Sequence, residues 1–110
     1  MNEMNEVEYL EWFDSKNLGF EMFTKAGNRK CKSITRSVIK KIFGKKRLSQ
    51  EEVIELAASK IRKVMNKPGF EEILDSEPPY HIKHYIIKAC RIAGYKYDFD
   101  RFDLSSACYS

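Results

Sequence analysis

Between Glu21 and Glu51 the chain contains no acidic residue. Any cation in that stretch therefore has no neighbour of opposite sign in sequence. Apolar runs extend over only a few residues, whereas a membrane-spanning helix needs about 20, so no membrane partner is expected. The first residues, Met-Asn-Glu-Met-Asn-Glu, lack the basic and then apolar regions of a secretory signal. Cysteine is sparse: Cys31, Cys90 and Cys108 are odd in number, far apart, and form no Cys-x-x-Cys. This argues against a disulfide framework or a cysteine zinc site, and it fits reduced thiols in a cytoplasmic protein. With three prolines, five glycines, no linker-like segment and no repeat, residues 1–110 are expected to form a single domain with 104–110 as a C-terminal tail.

What fills the acid-free stretch is positive charge. Ten of the 20 basic residues lie between Lys25 and Arg47, while residues 1–21 carry six acids against Lys16 alone. Residues 51–110 carry ten acids against nine bases. The formal charge of +4 is thus a single basic block set in an acidic or balanced chain, and such concentration attracts polyanions. Hydrophobic content of 43% with 13% aromatics is that of a folded domain. A chain of this length buries about 65% of its unfolded surface, so it needs no covalent staple.

Hydrophobic spacing predicts a mainly α protein, α+β at the margin. A first helix is expected over 5–16, with Val7, Leu10 and Phe13 on its apolar side, Trp12 as an anchor, and a stop at Gly19. A second runs from about 31 or 33 to 43, after Ala26-Gly27-Asn28 as a turn and before Gly44 as a stop. Its apolar set is Ile34, Val38, Ile39, Ile42 and Phe43, leaving Ser33, Arg36, Ser37, Lys40 and Lys41 on the other face. Ser49-Gln50-Glu51-Glu52 is a capping box that opens a third helix, with Val53, Ala57, Ile61, Val64 and Met65 as its stripe and Pro68-Gly69 as its end. A short helical turn over 70–74 follows. Pro78-Pro79 starts a fourth helix that ends at Gly94. Tyr95, Tyr97 and Phe99 alternate with Lys96, Asp98 and Asp100 as in a half-buried strand. The expected assembly is a small bundle of four main helices with a two-stranded patch of 20–24 beside 95–99.

Several constellations could carry chemistry. His81 and His84 are one helical turn apart and could begin a metal site, but no His-Glu-x-x-His occurs and these are the only histidines. Asp98, Asp100 and Asp103 could hold a divalent cation if a strand turned them to one face; as edge-strand charges they would discourage aggregation instead. Cys31 lies between Lys30 and Lys32, which could lower its pKa, whereas Cys90 reads as buried and inert. There is no nucleophile elbow and no glycine-rich phosphate loop. Neither an enzymatic activity nor a cofactor is expected. A helix-turn-helix fails because five residues, 44–48, separate the second and third helices, against a usual turn of about 3–4. Glu51 and Glu52 would also meet the groove at the end that normally reads bases. A winged-helix variant would need 95–99 as part of its wing.

The basic block remains. Lysine and arginine on one helix face beside serine hydroxyls suit phosphate oxygens. The expected function is a small, non-enzymatic binding protein. Arg36, Lys40, Lys41, Lys45, Lys46 and Arg47 would position it on the nucleic-acid phosphates of a duplex backbone, with Arg29, Lys30 and Lys32 at the rim and no strong sequence readout. No stacking aromatic is available within the block, which argues against single strands. Two alternatives compete. In one the block is a solvated face balancing the acidic first helix; in the other the chain is a protein–protein regulator or inhibitor of phage or mobile-element accessory type. Such a regulator would press this surface, or the aromatics Tyr95, Tyr97, Phe99, Phe102 and Tyr109, onto an acidic or larger host protein.

Overall fold

The computed structural model describes residues 4–16, 25–66 and 78–109. They form α1 (Glu6–Ser15), α2 (Lys25–Ile42), α3 (Gln50–Met65), α4 (Pro78–Ile92), a 3₁₀ turn (Phe99–Arg101) and α5 (Leu104–Tyr109). The protein is mainly α, and no strand occurs among the described residues. α2 is the central element. It packs on α3 and α4 and receives α1 across them, while α5 closes the side of α3.

Local chemistry sets the helix ends. Asn5 Oδ1 accepts from the Glu8 amide at 2.9 Å and Glu8 Oε1 accepts from the Asn5 amide at 3.3 Å. Together they form a capping box that opens α1. The predicted box at Ser49 is present, with the Glu52 amide 3.1 Å from Ser49 Oγ and the Ser49 amide 3.0 Å from Glu52 Oε1. α4 ends as its sequence predicts. Gly94 takes φ +89°, the Tyr95 amide returns to the Cys90 carbonyl at 2.9 Å and the Gly94 amide to Arg91 at 3.1 Å. This is a Schellman motif, which requires a left-handed residue that glycine adopts without strain.

The core is apolar and continuous. Tyr9, Phe13, Val38, Ile39, Val53, Ala57, Ile82, Ile86, Ala89 and Leu104 are fully buried. The stripes expected on the four main helices supply most of it, with Ile34 and Phe43 packed at its margin, but Val7, expected on the apolar side of α1, is exposed because that position turns away from α2 and α4. Thr35 is the buried polar residue, and its hydroxyl donates to the Cys31 carbonyl one turn back at 2.8 Å, which removes the cost of an unsatisfied donor.

Four expectations need revision or fall outside the described residues. α2 begins at Lys25, so Ala26-Gly27-Asn28 is helix and not a turn; glycine costs a helix only about 1 kcal/mol, less than the turns that follow it return. Residues 95–98 form no strand, and Phe99 opens the 3₁₀ turn. Their alternation does bury one side, Tyr95 and Tyr97, yet the neighbour is a loop and a side chain. The Tyr95 hydroxyl accepts from the Leu48 amide at 3.1 Å, the Tyr97 hydroxyl donates to the Leu48 carbonyl, and the Gln50 amide group exchanges two 2.9 Å bonds with the Asp98 backbone. The proposed partner strand at 20–24, the stop at Gly19, the terminator Pro68-Gly69 and the turn over 70–74 lie outside the described residues. Finally, 104–109 is a helix and not a tail. Asp103 caps it through the Ser106 amide at 3.0 Å, and Leu104 and Cys108, one turn apart, are buried against the bundle.

Candidate functional site

On α2 the two faces separate as the 3.6-residue period requires. Cys31, Thr35, Val38, Ile39 and Ile42 are buried. Arg29, Ser33, Arg36 and Lys40 recur at i, i+4, i+7 and i+11 along the outer face, with Lys30, Ser37 and Lys41 on the adjoining line. From Arg29 to Lys40 this row is about 16 Å long at 1.5 Å per residue. Lys45, Lys46 and Arg47 continue beyond the C-terminus of α2 in the turn before α3.

The nine basic residues do not share one role. Lys32 donates to the carbonyls of Asp14 at 2.5 Å and Lys16 at 2.9 Å. It supplies from outside the cation that the last turn of α1 lacks. Arg36 Nε pairs with the Asp14 carboxylate at 3.2 Å. Arg47 lies 3.9 Å above the Tyr95 ring and donates to the Ala93 carbonyl at 3.3 Å, beyond the C-terminus of α4. Lys32 and Arg36 tie α2 to α1, as a face balancing the acidic first helix would, and Arg47 ties the following turn to the end of α4. Arg29, Lys30, Lys40, Lys41, Lys45 and Lys46 are exposed and make no ion pair or hydrogen bond among the described residues.

A groove lies where α2 meets α3. Its volume is about 660 Å³, and it is lined by Lys41, Gly44, Lys45 and Lys46 on one side and Glu51, Glu52, Glu55, Leu56 and Ser59 on the other, with Leu48 between them. Sequence reasoning passed over it. The signals available were Leu48, an apolar residue in a basic turn, and Leu56, which lies off the buried stripe of α3. Glu52 is held ionised below its ordinary value by the Ser49 amide, with help from the Ser49 hydroxyl and Lys46.

The other candidates resolve differently. Burial pushes the thiols up, Cys31 to about 11, Cys90 to about 12 and Cys108 to about 11. For Cys31 burial decides the shift, so the lysines on either side in sequence do not lower it. Burial likewise raises the Tyr9 phenol far above its ordinary value, and its hydroxyl donates to the Tyr85 carbonyl at 2.6 Å. Asp98 pairs with Arg101 at 3.4 Å. Asp103 is lowered by the Ser106 hydroxyl and amide as a helix cap. His84 is exposed, while the His81 side chain lies outside the described residues. Among the described residues no three His, Cys, Asp or Glu side chains converge as a metal site. Tyr95 and Phe102 are buried and Tyr97 and Phe99 half-buried against the core, while the Tyr109 side chain lies outside the described residues. The winged variant has no strand at 95–99 to serve as its wing.

No protein-family model matches the chain, and no curated protein or solved structure is significantly similar to it. Among the described residues no helix is long and apolar enough to cross a membrane.

Proposed function

We propose that the chain is a small non-enzymatic protein, cytoplasmic by its thiols, that docks the outer face of α2 on the phosphate backbone of duplex nucleic acid. The observation that carries this reading is the set of six exposed cations that make no ion pair or hydrogen bond among the described residues, arrayed along α2 and the following turn. Ser33 and Ser37 lie in the same rows and add neutral donors. Such contacts position a protein on a duplex without reading its sequence. Lys32, Arg36 and Arg47, expected in the interface, contribute through the field of the surface while bonded within the fold.

The test is a fluorescence-anisotropy titration of a random-sequence duplex at several salt concentrations. Six phosphate contacts give a log–log salt slope of about −5. Charge reversal at Arg29 and Lys40 weakens all duplex sequences alike, and no loss on reversal would remove the reading. A regulator that binds an acidic protein is the second reading. The specific observation favouring it is the apolar floor of the α2–α3 groove, which a phosphate backbone cannot use.

A further inference from the structure

The α2–α3 groove carries an inference that rests on the second reading above and deepens it; the groove shares Lys41, Lys45 and Lys46 with the duplex surface but adds an apolar floor that a duplex does not use. Lys40 lies on the outer row with Arg29, whereas Lys41, about 100° further round the helix, turns into the groove. We infer that this groove is a docking site for an acidic amphipathic peptide segment of another protein, its apolar anchor seated on Leu48 and Leu56 and its carboxylates facing Lys41, Lys45 and Lys46.

Three observations lead there. First, the volume of about 660 Å³ is that of a site for a few side chains. Both leucines are half-buried, packed against the margin of the core with part of their surface still open, so an apolar anchor would remove that remaining surface from water. Second, the two rims differ in how their charges are committed. Glu55 is bound to Arg62 at 2.7 Å and Glu52 to the Ser49 amide at 3.0 Å. The three lysines opposite have no ion pair or hydrogen bond among the described residues. Glu51 on the far rim is likewise without an ion pair among the described residues, so the charge left to be matched is mainly positive and concentrated on the lysine rim. Third, the glutamate rim disfavours a polyphosphate strand crossing the groove, since like charges repel at this range. A peptide meets all three conditions. It carries carboxylates on one edge, an anchor in the middle, and a neutral or basic edge toward Glu51.

The experiment uses the full chain and a fluorescein-labelled short helical peptide with leucines at i and i+4 and glutamates along one edge. A twin peptide has both leucines replaced by serine at unchanged charge. The expected result is micromolar binding of the leucine peptide and at least about tenfold weaker binding of its twin. Leu56→Gln, a change at a half-exposed position whose folding is checked by circular dichroism, lowers peptide affinity about tenfold and leaves duplex binding unchanged. The double variant Lys45→Glu/Lys46→Glu abolishes peptide binding. Equal binding of the two peptides would overturn the inference, because charge alone would then explain it. So would the absence of any peptide binding. A failed duplex titration with intact peptide binding removes only the phosphate reading, and the converse removes only this one.

Discussion

Among the basic residues, identical side chains take opposite roles according to where the fold puts them. Lys32 closes the C-terminus of α1 and Arg36 holds Asp14, whereas Lys45 and Lys46 touch nothing that orders them. Lys32→Ala with Arg36→Ala should therefore lower the unfolding free energy, by roughly 1 kcal/mol in all, the scale of an exposed pair plus a helix-end cation. Chemical denaturation checks this against Lys45→Ala with Lys46→Ala, for which no change is expected. The thiols give a second prediction. Their folded pKa values are raised, so the folded state keeps protons that the unfolded state loses above about pH 9. Stability then falls with rising pH, by up to about 1.4 kcal/mol per thiol for each unit. At the acid end the sign reverses. Glu52 and Asp103 have lowered pKa values, so their contribution is present above their ordinary values of 4.5 and 3.8 and drains as pH falls below them. A thermal melt at successive pH values reads both limbs, and Ellman's reagent should react with the three cysteines only in denaturant.

Among the helices, those that were legible are the ones whose signals are local. The Ser49 box, the Ile82–Ile86–Ala89 stripe and the Gly94 stop need only residues within a turn or two of one another, and each stands where the sequence places it. Gly94→Ala should cost about 1–2 kcal/mol from backbone strain alone, since an added Cβ would have open space around it; equilibrium unfolding measures it. The elements misread are those defined by distant partners. The 95–98 segment has the period of a strand, yet what it meets is Leu48 and the Gln50 side chain, about fifty positions away in sequence. α5 is only six residues long, too short for periodicity to register, and its order comes from burying Leu104 and Cys108 against the bundle. Deleting residues 104–110 should for that reason destabilise the whole chain, by more than about 2 kcal/mol for the lost leucine burial alone. A true tail would come off without effect on the denaturation curve.

At the scale of the whole molecule, charge and packing are organised around α2. One side of it builds the core with α3 and α4, and the other carries the cations that the sequence concentrates between Glu21 and Glu51. The basic block itself was plain in the sequence. Its division was not, because whether a lysine caps a neighbouring helix or faces solvent depends on where that helix docks. Lys32 and Arg47 illustrate this, with partners 18 and 46 positions distant. The central claim is that the cations left over act together on phosphate. The measurement that tests it most directly is duplex binding against salt, for the wild-type chain and for a variant with Arg29, Lys30, Lys40 and Lys41 changed to glutamine. Micromolar binding with a log–log slope near about −5, reduced to about −2 in the variant, is the predicted result. Binding that is absent at low salt, or whose slope is the same in both proteins, would contradict it.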